Sequence, residues 1–221
     1  MKHDIADREA PGSATALLAA PLAGTMFGLS LMAFAAARTD GYSHATKAVS
    51  ELGAVGAPSA LVFNVLAFIV PGLLIVWFGL SLIRGSQKRT GPVLLAGSGL
   101  MIVIAGLFAV DLQDNGSVTS LGHVVGVVGS GLLWIASLFW TGPLLVRHFG
   151  LARWGRITPW FALFLFVHIG WQVAWQATGL VLPGWGQRIG FLGYFLWIGT
   201  TGVLLWRRGS APAHSGVERA R

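Results

Sequence analysis

His168, Gln172 and Gln176 interrupt a run that is otherwise almost wholly apolar. Positions i, i+4 and i+8 share one face of a helix, so the three residues form a polar stripe. Lipid satisfies none of them, and the stripe must face other helices or a water-filled cavity. An imidazole held at that depth can relay a proton or bind a metal. Asp111 and His123 sit on either side of a short loop between two further apolar runs. A carboxylate and an imidazole so placed can share a proton, or the carboxylate can orient an imidazole that holds a metal. Asn64 lies about a turn inside the second run, Arg188 opens the last one, and Ser50 and Glu51 belong to the connector 41-GYSHATKAVSELGAVG-56.

Read as chemistry, Glu51, Asp111, His123 and His168 are the candidate catalytic residues, working as acids and bases. Ser50, Asn64, Gln172, Gln176 and Arg188 are the candidate substrate-binding residues. A metal, if bound, would take Asp111, His123 and His168, a donor set that zinc accepts. The sequence requires no cofactor, and the unequal depths of His123 and His168 argue against a haem ligated from both sides. Each residue also has a plainer role. Asp111 and Asp114 suit a solvated loop, His123 suits a hydrogen bond to a carbonyl, the two Gln suit interhelical contacts, and Arg188 suits the interface.

The elements that position these residues follow from composition. Of the 221 residues, 54% are hydrophobic and 10% charged, against about 25% charged in soluble domains. There is no Cys, which excludes disulfides and thiolate metal sites. A span needs roughly 20 mostly apolar residues, and six segments qualify: 14–37, 59–83, 91–110, 120–146, 158–179 and 189–206. The first is longer than a signal-peptide core and follows Asp4, Asp7 and Glu9, so it is expected to be a span and not a cleaved leader. Gly122, Gly126 and Ser130 make a small-residue stripe on the fourth segment, which lets backbones approach closely.

Basic residues set the orientation. Lys2, Arg8, Arg84, Lys88, Arg89, Arg147, Arg153, Arg156, Arg207, Arg208, Arg219 and Arg221 fall on one side, leaving Arg38, Lys47 and Arg188 on the other. Both termini are therefore expected in the cytoplasm. The expected architecture is an all-α integral membrane protein, a six-helix bundle in the plasma (inner) membrane. A short interfacial helix joins its first two spans, with Ala45, Ala48, Val49 and Leu52 on one side. It divides into a polar tail (1–13), one transmembrane domain (14–206) and a basic tail (207–221). The net charge of +7 reads as topology, with the bilayer and no nucleic acid as partner. Oligomeric state is left open.

There is no HExxH, no GxxxxGK[ST] and no GxSxG. The string Val49-Ser50-Glu51-Leu52-Gly53-Ala54 resembles the SELGA signature of a bacterial and archaeal membrane-protein family, domain of unknown function 998. The resemblance continues through Asn64, Gly72, 106-GLFAVD-111 and His123 to 186-GQRIG-190. It implies a compact multi-helix membrane protein and supplies no activity. Two positions depart from the family pattern: Ala109 stands where a Pro is usual, and Gln187 where an acid is usual. Ser50, Asp111, His123 and His168 are also distantly similar to the Ser, Asp and His set of alkaline-ceramidase and adiponectin-receptor-type hydrolases, without their HxxxH pair. Three functions remain open: an enzyme acting on a lipid or apolar small molecule in the outer leaflet, a small-solute or proton-coupled transporter, and a non-catalytic membrane partner.

Overall fold

The computed structural model describes residues 12–178 and 183–210. It contains six long helices and, among the described residues, no strand. These are α1 (Ala14–Ala36), α2 (Ala60–Ser86), α3 (Thr90–Leu107), α4 (Val118–Arg147), α5 (Ala152–Ala177) and α6 (Pro183–Gly209). Five stretches among the described residues are long and apolar enough to cross a membrane: α1 to α4, and Gly184–Gly209 within α6. The remaining helix, α5, has 26 residues, about 39 Å at 1.5 Å per residue.

Local chemistry fixes where helices start and stop. The Ser13 hydroxyl accepts the Ala16 N–H at 3.3 Å, and the Ser117 hydroxyl accepts that of Ser120 at 3.2 Å, each capping a helix start. Helix α4 ends at Arg147, and the chain turns at Gly150, whose φ of +64° is open to glycine at little cost. The Leu151 N–H then closes back on the Leu145 carbonyl at 2.8 Å. Helices α5 and α6 begin about six residues before the apolar runs at 158 and 189, because a helix need not end where the hydrocarbon does. The expected end of the fifth span at Gly179 lies outside the described residues.

Within α2 the turn Val65–Ile69 is wider than α-helical, and the Val70 N–H reaches the Val65 carbonyl. Pro71 explains the position. Its ring crowds the carbonyl four residues back and it offers no N–H, and a widened turn relieves both. The expected interfacial helix is shorter than its apolar pattern suggested, a 3-10 turn over Val49–Gly53. The Glu51 carboxylate takes the Ala48 N–H at 2.8 Å and so fixes the start of that turn.

Each helix packs antiparallel on the next, and α6 returns to α1 to close a ring. The outward faces are apolar on every helix, with Leu29, Leu73, Leu100, Val125, Val167 and Leu192 all exposed. That inverts the usual soluble pattern and suits lipid. The centre is filled by aromatic rings. Phe27 packs on Phe68, Phe191 and Phe195, and Trp134 packs edge-on against Tyr194 and Trp197.

Several polar atoms inside the ring are paired across helices. The fully buried Tyr194 hydroxyl meets Ser98 Oγ at 3.0 Å and accepts from Ser130 Oγ at 3.5 Å. A closed clasp joins α5 to α6. Trp154 Nε1 donates to Thr201 Oγ1 at 2.8 Å, and Trp197 Nε1 donates to Thr158 Oγ1 at 3.1 Å. Each Thr hydroxyl in turn donates to the carbonyl of the Trp four residues before it. Among the described residues Trp134 Nε1 and Thr141 Oγ1 are buried without a partner.

The small-residue stripe on α4 faces α3 at van der Waals range. A Cβ added to Gly126 would sit 2.5 Å from the Ala105 nitrogen, whereas one added to Gly131 would meet nothing within 4 Å. Gly126→Ala is expected to lower the stability of the detergent-solubilised protein by roughly 1–3 kcal/mol through overpacking. Gly131→Ala, the same chemical change on an open face, is expected to lower it not at all. Reversible unfolding followed by Trp fluorescence checks both.

Candidate functional site

At the end of the bundle where α1 hands over to α2, the connector is held down by α6. Arg188 provides the hold. Its Nε donates to His44 Nδ1 at 3.1 Å, and its Nη2 to the Tyr42 hydroxyl at 2.7 Å. Its Nη1 donates to the carbonyls of Lys47 at 2.9 Å and Gly184 at 2.8 Å. The same guanidinium carbon lies 5.9 Å from the Tyr42 ring centroid, within cation–π range. Only the planar fork of Arg places donors toward this many partners at once. Gly184 lets the first turn of α6 come this close, since a Cβ there would lie 2.4 Å from the His44 carbonyl oxygen.

The SELGA turn is anchored at both ends. Gln187 Oε1 accepts the Val49 N–H at 2.8 Å. Asn64 Nδ2, at the edge of the wide turn of α2, donates to the Gly53 carbonyl at 2.9 Å. A Cβ on Gly53 would lie 2.0 Å from Asn64 Oδ1, which accounts for the glycine of the motif. The Val55 N–H then donates to the Val110 carbonyl at 2.9 Å and ties the connector to the α3–α4 loop. Glu51 also pairs with Lys47 at 3.3 Å, a half-exposed contact that contributes little beside the backbone bond to Ala48. Ser50 is half-buried in the same turn.

The other expected site residues are distributed around this cap. Asp111 Oδ1 accepts the N–H groups of Gln113 and Asp114, shaping the loop, while Ser120 Oγ binds the Asp111 backbone. His123, buried on α4, bonds through Nδ1 to the carbonyls of Ala105 at 2.8 Å and Phe108 at 3.1 Å. Both partners are acceptors, so Nδ1 carries the hydrogen. His168, buried on α5, donates from Nε2 to the Gly186 carbonyl at 2.8 Å, with Phe164 stacked on its ring. The side chains of Gln172 and Gln176 lie outside the described residues.

Glu51, Asn64 and Arg188 are thus brought to one connector, whereas Asp111 and His123 hold the α3–α4 end and His168 the α5–α6 end. No group of three or more His, Cys, Asp or Glu placed to hold a metal occurs among the described residues. The nominated donors Asp111, His123 and His168 each bond through one side-chain atom to backbone groups of a different segment. Sequence reasoning missed Tyr42, His44 and Gln187 as parts of the cap. The signal for them was their closeness in sequence to Glu51 and Arg188.

The chain matches the model of the family described as protein of unknown function DUF998 over residues 22–206, and it belongs to that family. No curated protein and no solved structure matches it.

Burial, and next the charge of Arg188, hold His44 below its ordinary value of 6.5. As pH falls, the unfolded chain therefore takes up the proton first. His44 contributes stability that is whole above about pH 6.5 and is lost as pH falls through its depressed folded value. Moving from pH 7.5 to 5.5 is expected to lower the thermal midpoint of the wild type. The drop should be smaller in His44→Gln, which keeps an acceptor for Arg188 and does not titrate; melting curves at the two pH values measure it.

Proposed function

We propose that this protein is a non-catalytic membrane subunit whose six helices all cross the bilayer, with both termini cytoplasmic, and whose rigid outer cap is the surface it offers to a partner. The observation that carries the reading is the Arg188 latch, which spends three guanidinium nitrogens on four groups of its own chain. The cap so held exposes Asp40, Lys47 and Val55 at the outer end. In this reading Glu51, Asp111, His123 and His168 are positioning residues, because their bonds go to backbone groups that shape the cap. Asn64 and Arg188 hold the connector and bind no substrate, and Ser50, Gln172 and Gln176 have no catalytic part. The topology rests on the basic residues of the α2–α3 and α4–α5 turns and the end of α6, set against the acids Asp40, Glu51, Asp111 and Asp114 at the other end.

The absence of native Cys makes orientation directly measurable. In intact spheroplasts a membrane-impermeant maleimide is expected to label Asn115→Cys, and to label Lys88→Cys only after permeabilisation. The reverse pattern overturns the topology.

The enzymatic reading makes the opposite prediction about the histidines. In cells lacking the native gene, the lipid-class profile is expected to be the same with the wild type, His123→Ala or His168→Ala at matched protein level. A lipid class that accumulates with either folded variant, and is cleared by the wild type, overturns the non-catalytic assignment.

A further inference from the structure

The end of the bundle opposite the cap carries a groove of a different character. It has a volume of about 470 Å³ and lies between the first turns of α5 and the last turns of α6. Leu151, Trp154, Ile157 and Leu204 form its apolar wall, and Arg153 and Arg208 line it as cations. We propose that this groove binds one anionic phospholipid of the adjacent leaflet, with the phosphate against Arg153 and Arg208 and the head of one acyl chain along Ile157 and Leu204.

Three observations carry the assignment. First, the groove is built and held. Arg208 Nη1 donates to the Phe149 carbonyl at 2.9 Å, which fixes the guanidinium beside the groove and spends one of its five N–H donors. Trp154 is pinned by its bond to Thr201 and packed edge-on against Phe161. Gly150 at φ +64° turns the chain sharply between α4 and α5, at the rim of the groove. Second, the charge is one-sided. All four described acids, Asp40, Glu51, Asp111 and Asp114, lie at the other end of the bundle, and Arg156 and Arg207 stand exposed next to the two groove arginines. Third, polarity is split within one site. An apolar wall at the end of two membrane-embedded helices, bordered by arginines, matches an amphiphile and not a free anion, and basic pockets between helices at a membrane surface favour anionic headgroups. The volume lies within the range of small-molecule sites. A guanidinium fork also matches phosphate geometry, giving short charge-assisted bonds.

The test uses the full chain in a neutral detergent, titrated separately with phosphatidylglycerol, phosphatidylcholine and inorganic phosphate. Native mass spectrometry counts retained lipid, and Trp fluorescence follows occupancy. The expected result is saturable one-to-one retention of phosphatidylglycerol, with phosphatidylcholine about tenfold weaker and no saturation by inorganic phosphate. Arg153→Gln with Arg208→Gln should weaken phosphatidylglycerol about tenfold or more, at roughly 1.4 kcal/mol per tenfold. Arg84→Gln with Arg89→Gln, at the same end but outside the groove, should leave it unchanged. Because Arg208 also supports the α4–α5 turn, Ile157→Trp serves as a second variant, which fills the wall without touching charge and should also release the lipid. Equal affinity for phosphatidylcholine, competition by millimolar inorganic phosphate, or undiminished binding in the folded Ile157→Trp and double-Arg variants overturns the proposal.

Discussion

Lipid offers no hydrogen bond, and this constraint orders the whole molecule. A polar group placed inside the hydrocarbon must find a partner in the chain or lose several kcal/mol. The ring of helices meets the demand locally, with hydroxyls returned to the carbonyl one turn back, as in Thr158 and Thr201. It also meets it between helices, through the Trp154–Thr201 and Trp197–Thr158 clasp and the Tyr194 contacts with Ser98 and Ser130. The hydrophobic effect does little to hold helix to helix once both are in lipid. Specific pairing and close backbone contact, such as Gly126 against Ala105, then decide which helices become neighbours.

The same constraint accounts for the signature motif. The SELGA segment is a short connector, and its 3-10 turn pairs only some of its backbone groups internally, such as the Glu51 N–H with the Ala48 carbonyl. Further partners are supplied from outside by Gln187, Asn64 and Arg188, and from within by the Glu51 side chain. The wide turn before Pro71 begins at the residue after Asn64, so the feature forced by a proline adjoins the side chain that holds Gly53. Motif, distortion and latch are three parts of one arrangement, linking α1, α2 and α6 at a single end.

Much of this was legible in the sequence. Apolar runs marked the five helices that are long and apolar enough to cross a membrane, and the stripe at Gly122, Gly126 and Ser130 marked a face that does approach a neighbour closely. His168 read as a buried group that needs a partner, and it has one in the Gly186 carbonyl. The reading of His123 as a histidine bonded to a carbonyl also matches its contacts with Ala105 and Phe108. What the sequence did not reveal is which helix faces meet, because rotation about each helix axis depends on neighbours far away in the chain. Depth along the helix was readable for Asp111, His123 and His168, and depth leaves that angle free. The i,i+4 pairs Trp154/Thr158 and Trp197/Thr201 carried a readable signal for the α5–α6 clasp, but its meaning depends on the two pairs being opposite each other. Gln187 was noted only as a departure from the resembled pattern, and its part in holding the connector rests on a side-chain oxygen that meets a segment far away in the chain.

The central claim is that Glu51, Asn64, Gln187 and Arg188 serve to hold the connector, with Arg188 as the joint. A double-mutant cycle of Arg188→Gln and Tyr42→Phe on the unfolding free energy in detergent tests it most directly. The two residues share a hydrogen bond of 2.7 Å and a cation–π contact. The account predicts a coupling energy of about 0.5–3 kcal/mol, the range for residues in one network. A coupling near zero, with both single variants as stable as the wild type, contradicts it.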